Sequence, residues 1–355
     1  MRDNSVTISK AIAIILVVMA HARCPEQIID WICMIVIPLF LFMSGYCFKD
    51  KYLSNAKDYT LKRLKGIYWP YVKWSLLFLL LHNVFYHLNI YSDEYGFNGR
   101  TSELYTASDF MNKAVSITTK MQGHEQLLGA YWFMKLLFIG SFIFYFAIKI
   151  LRGRWWGTLI LLATAIVLSY FDWSLPYFHF GTREFFAASI LYIGYLYKRY
   201  HWTWHRNIAI NVTALVLMMI GARYWWTTMH DYEYWKVLPY TISAVLLVLT
   251  VLHLSEWISK AENNHAVRFL VFTGDHTMEV LTWHFLSLKI VSLLLIAIYR
   301  LPIKQLSEFP VIEEYTHQGW WILYLCAGIG IPILGTYGYH RLKDSIICKT
   351  QSCNS

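Results

Sequence analysis

His21 and Lys10 are the residues from which a chemistry can be built. Both lie in the stretch Ile8–His21, ISKAIAIILVVMAH, where an apolar run separates a lysine from a histidine. They are eleven positions apart. On an α-helix that spacing returns to within roughly 20° of the same face and climbs about 16 Å along the axis. A cation near one end of a span and an imidazole near the other therefore share a stripe. Imidazole changes its protonation near neutral pH, so His21 suits proton transfer, and a histidine in an apolar span is a functional candidate by default. Plainer readings compete: His21 as a helix cap at the interface, and Lys10 as a lysine snorkelling to the headgroups.

Further polar residues interrupt the other apolar runs. Pro38, Ser44 and Gly45 break the run IPLFLFMSGYCFKD. Such breaks are tolerated where neighbours or a cavity satisfy the freed backbone groups, or where a glycine lets two helices pack closely. Lys62, Arg63 and Lys65 precede Trp69 and Pro70. They read either as positive-inside bias with attraction to anionic lipid, or as a dock for a phosphorylated cytosolic ligand. Trp132 opens AYWFMKLLF with Lys135 one turn deeper. The tryptophan has the composition of an interfacial belt, whereas a lysine facing lipid is costly, so Lys135 is expected to face the bundle interior. Arg183 and Glu184 open another run, as a solvated pair or part of an acceptor site. Glu279 and His284 are five apart in TGDHTMEVLTWHF, so they do not share a face closely and need not act together. No GxSxG, HExxH, Walker or GxGxxG pattern occurs. The 14 histidines are scattered without ligand spacing, so no metal site is expected.

The elements that must position these residues are membrane helices. Of 355 residues, 57% are hydrophobic and only 15% charged, with mean hydropathy +0.39, which excludes an ordinary soluble domain. Apolar segments lie at roughly 6–22, 29–47, 67–86, 131–150, 155–171, 184–197, 207–226, 236–257, 277–299 and 320–340. The expectation is an all-α integral membrane protein with about ten transmembrane helices in one bundle. The net charge of +9 sits at segment ends, so topology explains it and no nucleic-acid partner is expected. With the N-terminus in the cytoplasm, nineteen of the 31 lysines and arginines fall on that side against nine outside, which puts both termini inside. The run after Arg2 has no small-residue cleavage site and reads as a retained first helix. The chain reads as one domain with a core over about 5–341 and a cytoplasmic tail from 342. The polar stretch 87–130 is too short for a soluble domain. Its aromatics Tyr86, Tyr91, Tyr95, Phe97 and Tyr105 either stack on sugar or lie on the interface.

Taken in order, these landmarks resemble the membrane acyltransferase-3 family, which includes surface-polysaccharide and fucose 4-O-acetylase-like O-acetyltransferases. Lys10 with ten residues before His21 resembles its basic-x10-His signature. Pro38-Leu39-Phe40 with Ser44-Gly45-Tyr46 resembles the end of its second helix, and Lys62-Arg63-Leu64-Lys65 before Pro70 its basic entry to the third. Trp132-Phe133 resembles its WFL-type motif, and Gly274 to Glu279 followed by His284 its C-terminal segment. Two departures stand out. Members often carry a histidine just ahead of the Pro-Leu-Phe, where this chain has Val36. Their RxxR spacing is here Lys62-x-x-Lys65, which keeps charge without the bidentate arginine fork.

The resemblance implies transfer of an acyl group, usually acetyl, from cytosolic acetyl-CoA as substrate to a saccharide hydroxyl, with no bound cofactor. It implies His21 as general base. Lys10, Lys62, Arg63 and Lys65 are the expected donor-binding residues, and Trp132, Arg183 and His284 the acceptor or oxyanion candidates. It also implies a bacterial cytoplasmic membrane as the location and leaves the oligomeric state open. A secondary transporter or exporter of a small solute or saccharide is the alternative, although no inverted repeat or paired broken helices are evident. A membrane sensory or structural module is a third reading.

Overall fold

The computed structural model describes residues 4–95, 103–225, 227, 233–261 and 263–352. They form fifteen α-helices. In order these are α1 Asn4–His21, α2 Glu26–Tyr46, α3 Lys51–Ser54, α4 Ala56–Arg63, α5 Trp69–Leu80, α6 His82–His87, α7 Ala107–Lys120 and α8 Trp132–Leu151. There follow α9 Gly157–Tyr170, α10 Thr182–Arg199, α11 Ile208–Tyr224, α12 Val237–Ser259, α13 His265–Asp275, α14 Thr277–Tyr299 and α15 Trp320–Ser352. Among the described residues the nearest approach to a strand is one isolated bridge between Ser174 and Gly181.

Among the described residues six helical stretches are long and apolar enough to cross a membrane: α1, α2, Gln126–Leu151, α12, α14 and Trp320–Ser345. The chain is a polytopic membrane protein. Each of the ten apolar segments is helical over most of its described residues, but four miss the criteria of a span for visible reasons. Segment 67–86 is divided at Leu81, between α5 and α6. The helices α9 and α11 are apolar but short. The helix α10 carries Arg183 and Glu184 at one end and Lys198 and Arg199 at the other. At the C-terminus α15 runs on as helix to Ser352, through the residues expected to form a tail.

Most side chains of α10 are buried, and this helix is the centre of one half of the molecule. Its backbone meets that of α2 directly. A Cβ on Gly45 would stand 1.9 Å from the Leu191 carbonyl oxygen, and one on Gly194 2.2 Å from that of Phe42. Helices in lipid gain from such close approach because dispersion and interhelical contact replace the hydrophobic drive. In the same way α13 lies against α1 through Gly274, whose Cβ would fall 2.0 Å from the Thr7 carbonyl oxygen. This fixes the start of α14 beside the Lys10 end of α1.

Two large apolar clusters result, beside a small one at Cys24, Ile32 and Val36. One gathers α2, α8, α10 and α12; the other gathers α1, α5, α14 and α15. Phe40 and Leu137 pack against both. They mark the seam along which the cavities described below are strung. Between α4 and α5 the chain stays helical through a π-turn at Leu64–Tyr68, with Pro70 at the start of α5. Proline there cannot donate the backbone bond that a continuous α-helix needs, and the wider i→i+5 turn accommodates that loss.

Candidate active site

His21 is the last residue of α1. Its Nδ1 lies 3.1 Å from Nε2 of His284, which is fully buried on α14. The other nitrogen of His284, Nδ1, is 3.0 Å from the carbonyl oxygens of both Val280 and Leu281. A carbonyl only accepts, so His284 Nδ1 carries a hydrogen and its Nε2 presents a lone pair. The hydrogen between the two rings then belongs to His21 Nδ1, and His21 Nε2 is left as the basic nitrogen. Phe285 packs on both imidazoles, with ring centroids 4.6 Å from His21 and 4.0 Å from His284. Phe309 backs Phe285 at 4.7 Å. Buried Lys289 ties this loop down by donating to the Glu308 carbonyl at 2.5 Å.

Two cavities meet at His21, and a third adjoins one of them. The first, of about 750 Å³, is lined by Lys10, Ser44, Lys62, Arg63 and Lys198 together with Tyr46, Tyr52 and Tyr59. Three of its cations lie over tyrosines of the same wall: Lys62 over Tyr52 at 5.2 Å, Arg63 over Tyr59 at 5.0 Å and Lys198 over Tyr46 at 5.4 Å. Arg63 Nη1 also donates to Ser44 Oγ at 3.3 Å. These contacts hold long flexible cations in place while leaving their charge facing the cavity. The second is an apolar neck of about 280 Å³. It shares Phe40, Gly66 and Leu137 with the basic cavity, and His21 and Trp132 with the third. The third is a polar cavity of about 760 Å³ whose walls include Gln122, His124, Glu125, Lys135, His179 and Arg183. His21 and Trp132 thus stand where the neck opens into the polar cavity.

The polar cavity is built by two clamped loops. His82 on α6 bonds Glu125 Oε2 through Nδ1 at 2.9 Å and the Glu103 carbonyl through Nε2 at 3.0 Å. Its ring stacks on Tyr105, with centroids 3.3 Å apart. This buried pair fixes the segment 121–126 as one wall. Tyr91 packs beside it, and burial first, then the Glu125 carboxylate, pushes its hydroxyl well above the usual tyrosine range. On the other side Lys135 Nζ donates to the Phe178 carbonyl at 2.6 Å. Glu184 Oε2 accepts from the Gly181 N–H at 2.7 Å. These two bonds hold the loop between α9 and α10.

The structure brings His21, Lys10, Lys62, Arg63, Trp132 and Arg183 to the walls of this connected system. Other candidates lie differently. His284, expected as an acceptor or oxyanion group, is engaged at both ring nitrogens, by the Val280 and Leu281 carbonyls and by His21. Lys65 does not line the basic cavity; it lies exposed within the π-turn, which ends the register set by Lys62 and Arg63. Ser44 joins the site by holding Arg63, while Gly45, Pro38 and Pro70 shape helices. Of the loop aromatics, Tyr91 and Tyr105 pack on His82, and neither they nor Tyr86 and Tyr95 line the polar cavity; Phe97 falls outside the described residues. Lys198, His82 and Glu125 were not legible as site residues. Lys198 looks like any basic residue at a helix end, and 43 positions separate His82 from Glu125. Among the described residues no group of three or more His, Cys, Asp or Glu could hold a metal ion.

Helices of spanning length around a row of adjoining cavities, basic, apolar and polar, define a polytopic membrane protein with His21 between the apolar and the polar one. A family model described as an acyltransferase domain, Acyl_transf_3, matches residues 3–340, and the chain belongs to that membrane acyltransferase-3 family. No curated protein and no solved structure matches it.

Proposed function

We propose that this chain is an O-acyltransferase. It moves an acetyl group from cytosolic acetyl-CoA to a hydroxyl of a cell-surface or lipid-linked saccharide, across a bacterial cytoplasmic membrane. The observation that carries this reading is the sequence of three cavities with His21 at the junction. CoA phosphates match the four cations of the basic cavity, which then faces the cytoplasm. The uncharged pantetheine arm matches the apolar neck. The saccharide matches the polar cavity, which continues into a side chamber of about 270 Å³ lined by Asp172 and Ser174.

In this mechanism His21 Nε2 takes the proton of the acceptor hydroxyl as its oxygen attacks the thioester carbonyl. Such a base contributes typically ~10²–10⁴-fold. The tetrahedral intermediate collapses with cleavage of the C–S bond, and the imidazolium returns its proton to the leaving thiolate. The products are the ester and free CoA. Trp132 and Arg183 stand on the walls where a donor to the oxyanion belongs. His284 holds His21 in one tautomer and is a positioning residue.

The test is thiol release and glycan acetylation by the purified protein in lipid, with acetyl-CoA and an extracted surface glycan, for wild type and His21→Ala. Loss of both in a folded variant supports the reading, and full turnover by the variant removes His21 from catalysis. Solute movement without CoA release would instead favour a transporter.

A further inference from the structure

On the face of α14 turned away from the cavities, a groove of about 680 Å³ runs between α5, α14 and α15. None of its wall residues lines the three reaction cavities. The groove is graded along its length. Glu279, Tyr339 and His340 form one end, Leu286, Ile290, Ile331 and Pro332 form the other, and Lys73 lies beside Trp74 on the α5 wall. The grading follows from the chain direction. Near this polar end α14 begins and the antiparallel α15 passes, with the rings of His276 and His340 5.3 Å apart. Trp74 and Trp283 stand between the two ends, edge to face at 5.1 Å, and Lys73 Nζ lies 4.6 Å from the Trp74 ring. From Glu279 to Ile290 the helix climbs about 16 Å, which matches half of the ~30 Å hydrocarbon core of a bilayer. At Gly335, in the wall of α15, an added Cβ would meet nothing within 4 Å.

We propose that this groove binds one phospholipid of the surrounding bilayer, with an ethanolamine-type headgroup. The phosphate lies at Lys73, the headgroup ammonium at Glu279, and one acyl chain along Leu286, Ile290 and Ile331. The mixed charge selects the headgroup. A carboxylate opposes a purely anionic lipid, because like charges at close range repel. It also favours a primary ammonium, which donates hydrogen bonds, over the quaternary ammonium of choline, which has no hydrogen to give. The apolar end asks for a partner with no hydrogen-bonding groups, as an acyl chain is. The bound lipid would brace α14, the helix that carries His284 on another face.

The experiment is native mass spectrometry of the full-length protein in detergent, equilibrated with equal amounts of phosphatidylethanolamine, phosphatidylcholine and phosphatidylglycerol of the same chains. The wild type should retain the ethanolamine lipid roughly fivefold over the others, the discrimination that about one half-exposed charged contact supplies. Glu279→Gln should lose that preference. Gly335→Trp, which fills the groove from its open side, should retain one lipid fewer. Equal retention of the three lipids by wild type overturns the proposal, as does an unchanged preference in both variants. A wild-type dimer that Gly335→Trp converts to monomer also overturns it, because the groove is then an interface between copies.

Discussion

At the scale of single residues, the site depends on which nitrogen of His21 is free. His284 decides that, because its own hydrogen is committed to the Val280 and Leu281 carbonyls. Phenylalanine at position 284 keeps the ring and its packing on Phe285 but removes the acceptor for His21 Nδ1–H. His284→Phe is therefore expected to lower kcat by ~10² or more, as loss of a tautomer-fixing partner does, and to leave KM for acetyl-CoA unchanged. Steady-state kinetics with acetyl-CoA varied will separate the two. A purely structural role for His284 would lower the amount of folded enzyme without altering kcat per folded molecule. The pairing itself could not be read from the chain, since 263 positions separate the two histidines. Their candidacy could be, because a lone imidazole in an apolar span is unusual enough to single out.

At the scale of elements, the π-turn between α4 and α5 sorts the basic cluster. Lys62 and Arg63 face the basic cavity and Lys65 does not, while α10 supplies Lys198 from across it. Lys198→Ala should raise KM for acetyl-CoA roughly tenfold, about the worth of one charge-assisted hydrogen bond, and Lys65→Ala should leave it within about twofold. The same turn places Gly66 on the walls of both the basic cavity and the neck, with nothing within 4 Å of where its Cβ would be. Gly66→Leu should fold normally yet obstruct the neck. Titration of CoA should then show binding retained, while turnover falls by about tenfold or more, since small misplacements of a reacting group cost heavily.

At the scale of the whole molecule, the polar cavity exists because distant segments are tied to the helices. The His82–Glu125 pair is almost completely buried, with side-chain exposures of 0% and 1%. Removing one partner of such a pair leaves an uncompensated polar group, at a cost of roughly 3–5 kcal/mol. Glu125→Ala should therefore lower the thermal midpoint in detergent substantially. The double replacement His82→Leu with Glu125→Leu should recover most of that loss, because burying two apolar groups avoids the desolvation of both. Comparison of the three melting curves checks this directly.

The sequence by itself determined the class of molecule: an apolar all-helical chain, with the Lys10–His21 stripe, the basic run and Trp132 set in the order of an acyltransferase family. Those signals are local, carried by hydropathy and by helical spacing within one element. Only the tertiary structure showed which helices among the described residues are long and apolar enough to cross a membrane, because lengths, breaks such as Leu81 and the charged ends of α10 count as much as apolar content. It alone joined His21 to His284, removed Lys65 from the basic cavity, brought in Lys198 and packed Tyr91 and Tyr105 on His82. The physical reason is that a cavity is made by the gap between helices. Close backbone approaches in the bundle, Gly45 to Leu191, Gly274 to Thr7 and Gly194 to Phe42, set where those gaps fall, and each joins residues far apart in the chain.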